Sequence, residues 1–377
     1  MVQEQVEASP YRKKGLTPLS WAAKGGHEEV VKMLLERGDV NVNAADEEGQ
    51  TPLFVAACEG HTRVVKMLLE TWDINPNTVD EDGRTPLFVA ACKGHEGVVK
   101  MLLGRRDVSP NTANKYDQTP LFRAASRGHE EVVRILLERP DIDPDIANDH
   151  NETPLLEAAW DGREGIVRML LERGDVNPNT ANQFSQAPLI AAASEGHEGV
   201  VKMLLERGDI NPNITTEYGH TPLLKAASEG HEGVVRILLE RADVNPNTTD
   251  EEGQAPLPAA IWGRHEGVVR MLLERRDVNP NIVNGCDETP LFIAAMMGSE
   301  RVVKILLERV DINPNMTDPA GKTALSRALD WRQDTIVKLL SEHRDSVHPL
   351  DEDDHPTFSS PQPSGPDQSP SMRISKF

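Results

Sequence analysis

The triplet Thr-Pro-Leu, or a close variant of it, begins at residues 17, 51, 85, 119, 153, 187, 221, 255, 289 and 323, so one phrase returns every 34 residues. A fixed period of this size marks a stack of like units, each of which buries its apolar face only against its neighbours. The 377 residues would otherwise suggest two or three globular domains. One elongated array from residue 12 to 345 replaces that count, between a disordered arm (1–11) and a disordered tail (346–377) rich in Pro, Ser and Asp. Function is then expected on a long surface.

The second repeat, Asp46 to Asn77, shows how each unit folds. Thr51 is a good N-cap and Pro52 suits the first helical position, where its missing N–H costs nothing. Leu53, Ala56 and Ala57 give a short inner helix with a narrow apolar face, which Gly60 ends. Val64, Val65, Met67, Leu68 and Leu69 form the bulkier face of a second, outer helix, recurring as VVKMLLE, VVRILLE or IVRMLLE. On its solvent side Glu28 and Lys32, Glu96 and Lys100, and Glu130 and Arg134 are spaced as i, i+4 pairs, each expected to add about 0.2–0.5 kcal/mol. An Asn-Pro-Asn exit follows, in which proline stops the helix. The chain then turns through a finger whose tip holds Gly49, Gly83, Gly219, Gly253 or Gly321, with Asp117, Asn151, Ser185 and Asp287 in that slot elsewhere. The fold class is all-α, about ten helix-turn-helix repeats with hairpin-like finger loops.

The formal charge of −21 repels phosphate backbones and anionic lipid, so neither nucleic acid nor membrane is an expected partner unless a local basic strip overrides the total. No run approaches the roughly 18–20 apolar residues of a membrane span, and the first residues lack the apolar core of a secretory signal. A monomer in the cytoplasm is expected. The nucleus remains open, and the final Ser375-Lys376-Phe377 departs from the peroxisomal S-K-L. Cys58, Cys92 and Cys286 are expected as free thiols, since Cys58 and Cys92 share one slot in successive repeats, too far apart to bridge. Cys58 with His61 and Cys92 with His95 have a spacing that metal ligation could use, but histidine recurs in that slot whether or not a cysteine precedes it. No metal or cofactor is expected.

A turn followed by two antiparallel helices, written D-x-x-G-x-T-P-L-x-x-A-A-x-x-G-H-x-x-V-V-x-x-L-L-E, resembles the ankyrin repeat. The resemblance implies a curved ankyrin-repeat solenoid whose concave surface binds proteins. The period exceeds the family's usual 33 by one residue, in the Asn-Pro-Asn exit, and this variant resembles arrays of fungi, including some attached to signalling NTPases. The family's Thr-Pro-Leu-His histidine is replaced throughout, by Phe54, Phe88, Phe122 and Phe292 among others, so apolar packing is expected where that histidine would hydrogen-bond. In the eighth repeat Arg264 stands in the glycine slot and Ile261 replaces an alanine, which predicts a looser joint. Arg327, Asp330, Arg332 and Asp334 read as a polar C-terminal cap.

The family grips partners with finger residues flanking the turn and with two residues near the end of the inner helix. Carried onto this chain, those slots imply partner binding by Tyr116, Arg127, His150, Trp160, Phe184, Tyr218, His220 and Trp262. Six of the fifteen aromatic residues fall in such slots once Trp331 is counted, and aromatics are enriched in binding hot spots. Packing of the tryptophans across neighbouring helix ends stands as the alternative. Asp46, Glu47, Glu48 and Glu59, with Asp80, Glu81 and Asp82, form an acidic end suited to a basic segment.

No G-x-x-x-x-G-K-[ST], H-E-x-x-H or G-x-S-x-G is present, and no enzyme activity is expected. His27, His61, His95, His129, His197, His231 and His265 occupy one slot at the helix-to-helix turn and read as structural. The sequence thus points to a non-catalytic scaffold or adaptor. Its rivals are the detached sensor half of a signalling NTPase, or a protein inhibitor of an enzyme.

Overall fold

Residues 15–347 are described in a computed structural model. The arm, and the tail from residue 348 on with its Ser-Pro and C-terminal signals, lie outside the described residues. Twenty helices alternate as inner and outer members of ten repeats, from Pro18–Lys24 and Glu28–Glu36 in the first to Ala324–Asp330 and Asp334–Val347 in the tenth. The last helix runs past the expected boundary at 345. No strand is named among the described residues; the fingers are tight turns, with one isolated antiparallel bridge between Thr317 and Thr323.

Each inner helix starts as the sequence requires. The Thr51 hydroxyl accepts from the Phe54 backbone N–H at 3.2 Å, and Thr85, Thr119, Thr153, Thr221, Thr289 and Thr323 repeat the bond. Ala187 and Ala255 hold the same backbone without it. The alanines of the inner helices are fully buried and bring neighbouring repeats close together. Val132, Val133 and Leu136 are at most 1% exposed on the outer helix of the fourth repeat. Truncating such a leucine to alanine costs about 2–5 kcal/mol. Phe54, Phe88 and Phe122 are 2–3% exposed, so apolar packing does replace the family's histidine.

The expected pairs of Glu28 with Lys32, Glu96 with Lys100 and Glu130 with Arg134 do not form among the described residues; the i, i+4 pairs that do form run the other way, as in Lys66 with Glu70 at 4.0 Å and Arg134 with Glu138 at 3.9 Å. Glu28 pairs with Arg63 of the next repeat at 3.3 Å, and Glu266 with Arg301 at 3.3 Å. At other joints the same slot of the next outer helix is a glycine and the glutamate leans into it: a Cβ on Gly165 would collide with the Glu130 carboxylate, as would one on Gly199 with Glu164 or on Gly233 with Glu198. Each acid thereby reaches the N-terminal turn of its neighbour, where the helix dipole favours an anion.

Three polar stitches cross nearly every joint. Histidine supplies the first: His95 Nε2 donates to the Cys58 carbonyl at 3.0 Å, and His61, His129, His197, His231 and His265 repeat it on Lys24, Cys92, Trp160, Ser194 and Ser228. Nε2 of His61 and His95 is thus engaged by the carbonyls of Lys24 and Cys58. Arginine supplies the second. Arg139 grips Asp141 through Nε at 2.7 Å and Nη2 at 2.6 Å while Nη1 donates to the Leu103 carbonyl of the preceding repeat at 2.8 Å. That bond satisfies an acceptor which the end of a helix leaves open, and Arg105, Arg173, Arg207, Arg241, Arg275 and Arg309 repeat it.

The third stitch explains the extra residue of the exit. Asn77 donates its side-chain amide to the Asp107 carbonyl at 2.6 Å and accepts from the Ser109 backbone N–H at 2.8 Å. Asn43, Asn111, Asn213, Asn247 and Asn281 do the same. The second Asn of Asn-Pro-Asn thus behaves as a peptide group turned sideways, tying each exit to the next.

At the eighth repeat the departure at Arg264 goes with a change in the next repeat, while Ile261 is buried like the alanine it replaces. A Cβ on Gly60 would lie 2.8 Å from the His95 ring, and Gly94, Gly196 and Gly230 face the next repeat's histidine in the same way. Arg264 faces Ser299 instead, in the left-handed region at φ 60. Losing the histidine frees the space for a side chain. It also leaves the Trp262 carbonyl without a histidine donor. At the C-terminus Arg327 pairs with Asp318 at 2.9 Å and Lys322 with Asp330 at 3.0 Å. Of the four expected cap residues, Arg327 and Asp330 are thus paired within the last repeat.

Candidate partner-binding surface

Fingers are joined by a backbone ladder. Lys115 N–H donates to the Asp82 carbonyl at 2.8 Å, Asp149 to Tyr116 at 3.2 Å, Gln183 to His150 at 3.1 Å, Glu217 to Phe184 at 3.3 Å and Glu251 to Tyr218 at 3.0 Å. Tyr116, His150, Phe184 and Tyr218 occupy equivalent rungs, so their side chains form one row along the fingertips. The three aromatics of that row are 48–53% exposed, while Trp160 and Trp262, at the ends of their inner helices, are 42% exposed. These tryptophans both pack on the array and present a face outward.

Two hollows lie along this row. The larger, with a volume of about 540 Å³, spans repeats two to five and brings together Tyr116, Arg127 and His150 of the expected residues. The smaller, about 240 Å³, holds His220 and Trp262 with Lys225 and Asp250. There His220 Nε2 is 3.5 Å from Asp250, and its ring centroid is 6.0 Å from that of Tyr218. A hydrogen bond to Glu217 and its charge raise the Tyr218 phenol above its ordinary pKa. Trp160 and Phe184 line neither hollow.

The acidic end is not the open anionic patch the sequence suggests. Asp80 is 6% exposed and accepts from Arg84 Nε at 2.8 Å and Nη2 at 2.6 Å, while its other oxygen accepts the Asp82 and Arg84 backbone N–H groups. Asp46 and Asp250 close their fingers through the same backbone bonds. Asp82 meets Lys115 at 2.7 Å and Arg84 at 3.1 Å; the Lys115 hydrogen bond holds its carboxyl below the usual range. The first aspartate of a finger is a structural group because a carboxylate satisfies two turn donors at once. Glu47, Glu48, Glu59 and Glu81 remain the outward acids of these two repeats.

Sequence reasoning passed over Arg84, Lys93 and Arg123, which line the larger hollow, and its floor of Phe88, Val89, Cys58 and Cys92. A signal existed. In the aligned repeats the inner-helix slot reads Val55, Val89, Arg123, Glu157, Ala191, Lys225 and Ala259, a variable column between constant leucine and alanine columns. Burial raises the Glu157 pKa although the Ser126 hydroxyl donates to it at 2.8 Å. The three cysteines are free. Among the described residues no group of three or more His, Cys, Asp and Glu is placed to hold a metal ion, and no helix is long and apolar enough to cross a membrane.

No curated protein matches the chain. Among solved structures, the crystal structure of the ankyrin repeat domain of Bcl-3, a member of the IkappaB protein family, is similar at a TM-score of 0.54 and 25% sequence identity, covering 60% of this chain and 100% of that one. The family model for ankyrin repeats (3 copies) matches over residues 1–80, 39–113, 72–148, 106–182, 141–216, 189–284 and 259–351. With that tiling, and with helix pairs, fingers and stitches in register throughout, the chain belongs to the ankyrin-repeat family.

Proposed function

We propose that this protein is a non-catalytic scaffold or adaptor that binds another protein on its concave finger and inner-helix surface, acting as a monomer in the cytoplasm. Ankyrin repeats are in general protein-interaction modules, and the similar solved structure is itself an ankyrin repeat domain. The observation that carries the reading is the fingertip row of Tyr116, His150, Phe184 and Tyr218. The backbone ladder holds these side chains in fixed register, and the three aromatics among them are about half exposed. Large rings on a rigid edge provide contact area at little entropic cost on binding.

Affinity capture with the intact protein and with a Trp160→Ala, Phe184→Ala, Tyr218→Ala variant tests it. A partner retained by the first and lost by the second, at an unchanged melting temperature, is the expected result. A lowered melting temperature with retention unchanged would instead assign these rings to packing.

A further inference from the structure

The larger hollow interrupts the acidity of the concave surface with a cluster of cations, although Asp82, paired with Arg84 and Lys115, and Asp149 also line it. On either side stand Glu47, Glu48 and Glu59 of the second repeat and Asp149, Glu152, Glu157 and Asp161 of the fifth. Between them the larger hollow is lined by Arg84, Lys93, Arg123 and Arg127. Arg84 is committed to Asp80 and Asp82. Among the described residues, the side chains of Lys93, Arg123 and Arg127 make no hydrogen bond or ion pair, although the Arg123 charge acts on Glu157. Arg123 and Arg127 are also i, i+4 neighbours on one helix (Pro120–Arg127), where like charges repel. Arg123 offsets part of the cost of the buried Glu157 carboxylate; Lys93 and Arg127 have no such role.

Beneath the cations the floor is apolar, with Phe54, Phe88 and Val89 at the bottom and the half-buried Cys58 and Cys92 between them. Tyr116 closes one side, its ring 5.1 Å from the Lys115 ammonium. We infer that this hollow receives a short extended segment of a partner protein that presents one large apolar side chain flanked by carboxylates. This deepens the scaffold reading and rests on it. The apolar side chain covers the floor, and the carboxylates meet Arg123 and Arg127, whose forked guanidinium donors suit bidentate pairing. Charge complementarity also selects against basic segments. A nucleic-acid strand is disfavoured, because duplex DNA carries one charge per roughly 1.7 Å and its phosphates would run onto Glu47, Glu48, Asp149 and Asp161.

The test is selection of a displayed library of random nine-residue peptides on the full-length protein, followed by titration of a synthetic selected peptide. Selected sequences are expected to pair Phe, Leu or Trp with Asp or Glu. The double charge reversal Arg123→Glu, Arg127→Glu should weaken the peptide about tenfold or more, the loss expected from two charge-assisted contacts. Lys93→Glu, a change at an exposed residue, should weaken it in the same direction and covers the case in which the double variant folds poorly. No enrichment, enrichment without acidic residues, an affinity unchanged in both variants, or displacement of the peptide by single-stranded poly(U) would each overturn the proposal. The two readings can fail separately. If a captured partner is lost on Trp160→Ala, Phe184→Ala, Tyr218→Ala but kept on the charge reversal, the scaffold stands and the hollow's assignment falls.

Discussion

Asp145 accepts a hydrogen bond from the Asn177 backbone N–H at 2.8 Å through one carboxylate oxygen, while its other oxygen is buried without a partner. Asn77, Asn111, Asn213, Asn247 and Asn281 place an amide N–H at the equivalent atom and donate it to the next repeat's carbonyl. A carboxylate has no proton to donate. Burial, with Asp143 and Asp175 nearby, raises its pKa. Asp145→Asn should therefore stabilise the array by about 1 kcal/mol. The pH dependence has a definite sign: because the folded state holds this proton more tightly than the unfolded chain, the group's contribution is present at low pH and is lost as pH rises through the raised value. Melting the wild type and the variant across the acidic range should show the advantage of asparagine growing with pH; a constant difference would refute the account.

Arg139 spans three groups, the Asp141 carboxylate and the carbonyls of Leu103 and Arg105. Arg139→Ala leaves two acceptors at the joint without their donor, whereas Asp141→Ala removes only a partner that is half exposed. Chemical denaturation should show a loss of about 1–3 kcal/mol for the arginine change and under about 1 kcal/mol for the aspartate change. Equal losses would mean that the ion pair, and not the cross-joint bonds, carries the stability.

Ala187 has the backbone of an N-cap and no hydroxyl, with the Ile190 N–H three residues on, while Thr221 in the following repeat accepts from Leu224 N–H at 3.1 Å; at Ala255 the same place is held by Pro258, which has no N–H to give. Ala187→Thr should add about 1 kcal/mol, and Thr221→Ala should remove a similar amount. The pair of melting curves checks both directions.

Arg264 in the left-handed region, the missing cap at Ala255 and the missing histidine at Ser299 all fall at the joint between repeats eight and nine. Amide hydrogen exchange should be faster over residues 258–266 than over 224–232, where Gly230 and His265 keep the usual arrangement. Equal protection would show that the buried Ile261 compensates. Arg264→Gly should slow exchange there by relieving backbone strain of about 1 kcal/mol.

What the sequence settles by itself is whatever depends on neighbours within a few residues. The threonine caps, the proline at the first helical position, the αL glycine after an inner helix and the leucine–valine face of each outer helix are local chemistry, and the 34-residue beat repeats them ten times. Phe54 and Phe88 could be read as core residues for the same reason. Only the tertiary structure decides what crosses a joint. His95 meets Cys58, Arg139 meets Leu103 and Asn77 meets Asp107 at separations of 37, 36 and 30 residues, and it is the pitch of the stack that brings them together. The glutamates of the outer helices were misread because a helix seen alone offers Lys32 to Glu28, whereas the stacked array offers Arg63. The hollow at repeats two to five was hidden for the same reason. Arg123, Lys93 and Val89 come from different repeats and become one site only when the inner helices lie side by side.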